Sequence, residues 1–266
     1  MFIHARFESE FSEEASLYQF ILSRKTLHEN DGFYERDLLS DDYYTTRLSS
    51  NRLKQCYDIA PERVNQYLNA EIEHTISLVR PMDDVLELGC GYGRVIERLA
   101  QHVSGNKLVG IDTSRNSLEL ARETFRAKPF IHVHQMDARA LGFKGGSFDK
   151  VICIQNGISA FRISPSKLLR ESIRVTRNGG VCIFSSYSDK FWEHRLEWFE
   201  LQAENGLIGE IDWDETHDGV IVCKDGFRAT TFNARNFRTL TDEFGYETTI
   251  REIDQSSVFC EIYVER

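Results

Sequence analysis

The sequence predicts a doubly wound α/β fold, built on a mostly parallel seven-stranded sheet whose last strand runs antiparallel. Three observations predict it. From Pro81 onward short apolar runs alternate with amphipathic stretches, as strands and covering helices do in a parallel sheet. The first of these runs ends in the closely spaced glycines Gly89, Gly91 and Gly93. The last two runs are separated by only Ile253 to Ser257, whereas parallel neighbours need a crossover of a dozen or more residues.

The elements follow in order. Leu17, Phe20, Ile21 and Leu27 recur at helical spacing, and Val64, Tyr67, Leu68, Ile72 and Ile76 do so more clearly. Pro61 suits a first helical turn. Asp31-Gly32 and the stretch from Asp41 through Tyr43 and Tyr44 to Thr45 read as loop. Strands are expected at Val85 to Leu88, Lys107 to Ile111, Phe130 to His134, Phe148 to Ile154 and Val181 to Ser185, with helices over Val95 to His102 and Ser114 to Phe125. Ser164-Pro165 supplies an N-cap and first turn for a helix bearing Leu168, Leu169 and Ile173. Its expected stop is Asn178-Gly179-Gly180, where glycine can take the left-handed conformation of a C-cap. Alternation lapses between 187 and 225, then resumes with a helix from Ala234 to Phe244 and strands at Glu247 to Glu252 and Val258 to Val264. The chain therefore divides into an N-terminal helical segment or lid (1–80) and a core (81–266) with a cap insertion at about 187–225.

Composition narrows the partners. A hydrophobic fraction of 41%, a charged fraction of 28% and only 4 prolines describe an ordinary globular chain of 266 residues. Apolar runs such as Val151 to Ile154 are strand-sized, too short to span a bilayer. The N-terminus lacks a basic-then-apolar leader pattern, so a cytoplasmic protein without membrane association is expected. A formal charge of −10 gives no global attraction for a phosphate backbone and disfavours nucleic acid. The six cysteines include no CxxC pair and read as reduced, buried thiols. His132 and His134 share one strand face without further ligands, so burial rather than a metal site is expected.

Ligands of open α/β sheets sit beyond the carboxyl ends of the strands. Glycines at 89, 91 and 93 allow a tight turn and close approach of backbone to ligand. Asp112 ends the second strand nineteen residues after Gly93, where an acid can take the hydroxyls of a ribose. Asp137 follows the third strand, where an acid can accept from an adenine amino group. Together the three features point to a nucleoside-containing cofactor.

On these residues the chain resembles the class I S-adenosylmethionine (SAM)-dependent methyltransferases, chiefly their small-molecule and quinone-methylase-like branch, which has a Rossmann-like fold. Val85-Leu86-Glu87-Leu88-Gly89-Cys90-Gly91-Tyr92-Gly93-Arg94 is similar to that family's first motif. Leu108 to Ser114, Met136-Asp137-Ala138, Phe148 to Cys153 and Arg174 to Gly180 are similar to the later ones. The resemblance is strong over 82–185 and one of element order over 226–266. It implies SAM as cofactor: Glu87, Gly89, Cys90, Gly91, Gly93 and Arg94 border its methionine part, Asp112 and Thr113 its ribose, and Met136, Asp137 and Ala138 its adenine. Ile154 and Gln155 would line the methyl-transfer side, with Asn156 and Gly157 toward the substrate. A nicotinamide oxidoreductase is the rival, but its fingerprint spaces the glycines G-x-G-x-x-G. A non-catalytic SAM-binding or scaffold protein is the other alternative.

The implied reaction is in-line displacement onto a small-molecule acceptor. Positioning alone can lower such a barrier by roughly 7–11 kcal/mol, and a base helps oxygen or carbon acceptors lose their proton. Candidate catalytic residues come from the unmatched segments: Tyr43 and Tyr44, Tyr187, and His194, with His217 beside them. Trp192, Leu196, Trp198 and Phe199 form a helix face for packing, for a lid, or for contact within a homodimer. The turn Gln155-Asn156-Gly157-Ile158 lacks the Asp/Asn-Pro-Pro-aromatic pattern of DNA amino-methylases. With the net charge, this favours a neutral or cationic small acceptor.

Overall fold

The computed structural model describes residues 43–266 apart from Gly105 and Arg162. The helical pattern at Leu17 to Leu27, the Asp31-Gly32 turn, Asp41 and Asp42 lie outside the described residues. The main sheet has seven strands: β1 (Val85–Leu88), β2 (Leu108–Asp112), β3 (Ile131–Gln135), β4 (Phe148–Cys153), β5 (Thr176–Tyr187), β8 (Glu247–Ile253) and β9 (Ser257–Val264). A separate two-stranded ribbon holds β6 (Ile221–Val222) and β7 (Arg228–Ala229). The sheet order is β3-β2-β1-β4-β5-β9-β8, and β9 is antiparallel to both neighbours. Strand order reverses at β1, whose Leu86 pairs with Val109 on one side and Val151 on the other. A crevice at the carboxyl ends of β1 and β4 is the ligand position this topology creates.

Central strands are buried on both faces and therefore read as continuous apolar runs. All four residues of β1 are buried, Glu87 among them, which makes that acid the anomaly of the strand. The helices are α1 (Tyr43–Thr46), α2 (Asn51–Asp58), α3 (Glu62–Leu78), α4 (Arg94–Leu99), α5 (Arg115–Thr124), α6 (Gly157–Ala160), α7 (Pro165–Val175), α8 (Trp192–Glu204) and α9 (Ala234–Asp242). Tyr43 and Tyr44 thus begin a short helix rather than lying in a loop, because Tyr43 is pulled into an apolar core. Ser114 caps α5 by accepting from the Ser117 N–H, and Asn233 with Asn236 forms a reciprocal capping box on α9.

The Asn178-Gly179-Gly180 expectation fails. α7 ends at Val175 and the glycines lie inside β5, where pairing with β4 slips from Phe148–Thr176 to Lys150–Val181. Gly179 has φ +78, and a Cβ on Gly180 would sit 2.7 Å from the Asp149 carbonyl. The glycines serve a bulge that brings β5 against β4, not a helix cap.

Two apolar clusters result. One lies against the sheet around Val85, Ile96, Leu108, Leu118 and Ile152. The other joins α1–α3 to the insertion through Tyr67, Leu68, Tyr187, Phe191, Trp198 and Phe227. Trp198 Nε1 donates to the Cys56 carbonyl at 2.8 Å. The N-terminal helices and the insertion therefore share one core and form one cap. That cap reaches the strand ends: the Ser50 N–H donates to Ser117 Oγ, and Leu53 lies against Gly91. All six cysteines are free and buried. Among the described residues no helix is long and apolar enough to cross a membrane.

Candidate active site

The turn after β1 is built from left-handed backbone at Gly89, Gly91 and Gly93 (φ +75, +53 and +92). The Gly89 and Cys90 N–H groups both donate to the Ile111 carbonyl at 2.9 Å, which ties the turn to β2. Asp112 clasps it: one carboxylate oxygen accepts from the Gly91 N–H at 2.8 Å and the other from the Ser114 N–H at 2.7 Å. A Cβ on Gly89 would come within 3.2 Å of the Phe161 ring, and one on Gly91 equally close to Leu53. This cradle has no room for side chains. Gly93 has another task, because a Cβ there would strike Phe125 at 2.4 Å, so it packs α4 onto α5. Cys90 turns its thiol beneath the sheet, where a Cβ on Gly110 would meet it at 2.7 Å. Only its backbone belongs to the turn.

Beside the glycines lies a group of buried polar atoms without hydrogen-bond partners among the described residues. Glu87 Oε2, Arg94 Nε and Nη2, Gln155 Nε2 and Glu71 Oε1 are among them. Burial raises the Glu87 carboxyl to about 8, and the charge of Arg94 only partly offsets it. The Arg94 guanidinium stacks over Tyr57 at 4.5 Å. Glu71 is fully buried on α3 and is likewise raised by burial to about 8, although Ser185, Gln155 and Arg94 act against the shift. Its Oε2 accepts the Gln155 N–H at 2.8 Å. Native proteins leave few buried polar atoms unpaired, and each costs about 1–3 kcal/mol. Several together, with two displaced carboxyl pKa values, make this cluster the candidate ligand site.

The turn after β4 is the second distorted segment. Gln155 and Asn156 are both left-handed (φ +58 and +61), a conformation rare for non-glycine residues and concentrated at functional sites. The Gln155 N–H also donates to Ser185 Oγ at 2.9 Å. Asn156 donates from Nδ2 to the Thr230 carbonyl at 2.9 Å and accepts from Ser186 Oγ at 2.6 Å, so both ends of its amide hold the turn. Gly157 begins α6, where a Cβ would meet Cys153 Sγ at 2.8 Å. Ile154, just before the turn, is buried.

At the ends of β2 and β3, Thr113 Oγ1 lies 3.3 Å from Thr45 Oγ1 on α1. The Met136 N–H donates to the Asp112 carbonyl at 3.0 Å, and Ala138 is buried. Asp137 is bonded within its own turn to the Arg139 N–H at 2.8 Å and Nε at 2.7 Å. Burial would raise its carboxyl, but the bonds and charge of Arg139 outweigh that and hold it below the ordinary value.

The four residues proposed for catalysis separate. Tyr187 is buried at the end of β5, its ring 5.3 Å from Tyr67. Tyr44 lies within electrostatic range of Tyr187, Tyr57 and Arg195. Tyr43 instead donates its hydroxyl to Asp225 at 2.7 Å and packs edge-on to Phe227, locking the cap. His194 is exposed, 3.9 Å from Glu197, because it falls one position outside the buried stripe of α8. His217 is exposed and pairs with Asp218. His132 and His134 are exposed and stacked, not buried, since β3 is an edge strand and its outer face meets solvent. Among the described residues no group of three His, Cys, Asp or Glu could hold a metal. Sequence reading missed Glu71 and Arg195, both fully buried.

This sheet order, with one antiparallel strand and an acid-and-glycine turn at the reversal point, is the Rossmann-like methyltransferase fold. Residues 85–180 match the family described as a methyltransferase domain. SAM is the cofactor that such a domain implies, and the residues fit it: a cradle of glycines beside a carboxyl and a guanidinium with unpartnered atoms suits the zwitterionic end of an amino-acid-derived ligand. The malonyl-[acyl-carrier protein] O-methyltransferase of Marinomonas sp. is 27% identical over 178 residues, 64% of each chain. The phosphatidylethanolamine N-methyltransferase of Cereibacter sphaeroides is 32% identical over 110 residues, 39% of this chain and 50% of that one. The chain spans about half the length of the curated relatives it matches. The PH0226 protein of Pyrococcus horikoshii has the same fold, with TM-score 0.58 at 18% identity, covering 85% of this chain and all of that one.

Proposed function

We propose that the protein transfers the methyl group of SAM to a small-molecule acceptor by in-line displacement, with Glu71 as the base. The observation that carries the proposal is the set of buried, unpartnered polar atoms of Glu87, Arg94 and Glu71 around the glycine cradle. When bound, SAM supplies an electrophilic methyl on a sulfonium. Arg94 Nε and Nη2 would hold the carboxylate of its methionine part and Glu87 the ammonium, each satisfying an orphaned group. Asp112, already oriented by two backbone N–H groups, would accept from the ribose, with Thr113 beside it. Met136, Asp137 and Ala138 would border the adenine, and Ile154 and Gln155 the methyl side.

Glu71 belongs to the same cluster, within electrostatic range of Tyr67, Tyr57 and Tyr187. A carboxyl raised to about 8 is well matched to general-base work near neutral pH. Its unpartnered Oε1 would receive the proton that an oxygen, nitrogen or carbon acceptor must lose. Tyr44, Tyr67 and Tyr187 would position the acceptor and exclude water. The two relatives named above act on different acceptor atoms, so the base is the more general assignment.

Incubating the full chain with methyl-labelled SAM and a metabolite extract, with mass analysis of products, tests the proposal. A labelled small product is expected, with initial rates that rise with pH toward about 8. SAM binding without transfer to any product would make the protein a non-catalytic binder. Tight NADH binding without SAM binding would overturn the donor assignment.

A further inference from the structure

The insertion carries an arginine that the reaction as described leaves unused. Arg195 on α8 has no accessible surface. Its Nη1 donates to the Gly219 carbonyl at 2.8 Å and to Thr231 Oγ1 at 2.7 Å. Its Nη2 reaches the Thr230 carbonyl at 3.5 Å, the Tyr187 hydroxyl lies close enough to favour its charged form, and its Nε has no hydrogen-bond partner among the described residues. No carboxylate among the described residues forms an ion pair with it. The guanidinium lies over Tyr187 at 4.4 Å, with Phe199 and Trp192 at 5.4 and 5.8 Å. Burial pulls its pKa below the ordinary value, and the groups that push back are tyrosine hydroxyls, not acids.

Burying an ion is costly unless it is paired, and a desolvated cation–π contact returns only part of that cost. Carbonyls and ring faces hold Arg195 in place but leave its charge without a counter-ion among the described residues. Resting on the methyl-transfer reading, we infer that Arg195 is the anchor for a carboxylate carried by the acceptor. The least satisfied edge is Nε, unpartnered, with Nη2, which makes only the long Thr230 contact; this is the side of a guanidinium that meets a planar carboxylate through two parallel bonds. One guanidinium matches a monoanion. A phosphate dianion would leave its second charge among tyrosines.

The donor's own carboxylate is the competing source of an anion, and the geometry separates the two. Arg94 acts on Glu87, Glu71 and Tyr57, beside the glycine cradle. Arg195 acts on Tyr187 and Tyr44, on the insertion side. Glu71 is in range of Arg94 and of Tyr187, and Tyr67 is in range of both arginines. An acceptor anchored at Arg195 would thus extend toward Glu71 past Tyr187 and Tyr67, whose rings suit an apolar or aromatic body. This replaces the neutral or cationic acceptor that net charge suggests: a charge of −10 is a property of the surface, while Arg195 sets the local sign.

The test titrates the full chain, saturated with S-adenosylhomocysteine, with acetate, hexanoate, benzoate and 4-hydroxybenzoate, each beside its amide, following calorimetry and tryptophan fluorescence. At least one acid is expected to bind tenfold or more tightly than its amide. Arg195→Met should abolish that preference and Arg195→Lys retain part of it, with S-adenosylhomocysteine affinity unchanged within twofold. Acids that bind no better than their amides would overturn the inference, and this wild-type comparison stands even where a variant does not fold. A tenfold loss of S-adenosylhomocysteine affinity in a folded Arg195→Met would also overturn it, assigning the anion to the donor. If wild type binds acids selectively but not S-adenosylhomocysteine, the anchor stands and the methyl-transfer reading falls.

Discussion

The backbone N–H of Gln155 donates to the Glu71 carboxyl at 2.8 Å, joining positions 84 residues apart. The bond ties α3, outside the matched family region, to the strained turn after β4. It also places a fully buried acid where its charge is expensive. The Glu71 carboxyl is raised from 4.5 to about 8 in the folded chain, so folding takes up a proton between those values. Stability therefore falls as pH rises through that window. Glu71→Gln mimics the protonated form. Without ligand, its Tm should be close to wild type at pH 5 and several degrees above it at pH 8.5, read by calorimetry. Glu87, raised in the same direction, will leave some pH slope in the variant. Parallel Tm curves for variant and wild type would refute the assignment.

Asp112 is both a proposed ribose ligand and the clasp of the glycine turn. Asp112→Ala should weaken S-adenosylhomocysteine binding about 10–100-fold, the worth of hydrogen bonds to a charged group. It should also lower Tm modestly, because the Gly91 and Ser114 N–H groups lose their acceptor. The sequence alone predicts the first effect and an intact fold, and the second arises from the clasp. Calorimetric titration of the folded variant decides the matter, and an unchanged affinity would remove Asp112 from the site.

What could be read in the sequence was local. The apolar run of β1, the glycines, Asp112 and the short link between β8 and β9 each carry their meaning within a few residues. Glu71 and Arg195 do not, because a lone charge within a helix ordinarily faces solvent. Their positions held a signal nonetheless. Glu71 lies in the stripe of Val64, Tyr67, Leu68, Ile72 and Thr75, and Arg195 stands three residues after Trp192 and four before Phe199. A charge on the apolar face of a helix is the informative exception. His194 drew attention by residue type, although helical phase puts it outside that face. The Gly179-Gly180 bulge was unreadable for another reason: only the opposing β4 backbone distinguishes it from a helix stop.

Gly93 separates packing from ligand binding within one motif. Its φ of +92 is strained for any residue with a Cβ, and that Cβ would lie 2.4 Å from Phe125. Left-handed backbone costs roughly 1–2 kcal/mol and overpacking roughly 1–3 kcal/mol. Gly93→Ala should therefore lose about 2–5 kcal/mol in urea unfolding. The backbone strain remains even if the ring moves, so a loss below about 1 kcal/mol would show that the turn is misdescribed.

Asn156 tests whether the turn after β4 is held by its own side chain. Its left-handed backbone (φ +61) suits Asn or Gly, and its amide spans from the Thr230 carbonyl to Ser186 Oγ. Asn156→Gly removes both bonds but relieves the backbone, whereas Asn156→Ala removes the bonds and adds strain. The expected order of Tm is wild type, then Gly, then Ala, with Gly and Ala about 1 kcal/mol apart. A residue serving only the acceptor would alter turnover and leave Tm unmoved in Asn156→Gly. Because Ser186 Oγ also accepts the Phe232 N–H at 2.8 Å, losing Asn156 should loosen the 230–232 segment that helps hold Arg195 through Thr230 and Thr231. Hydrogen exchange across 228–233 should then quicken in both variants. Unchanged protection there would mean that Asn156 and Arg195 are held independently.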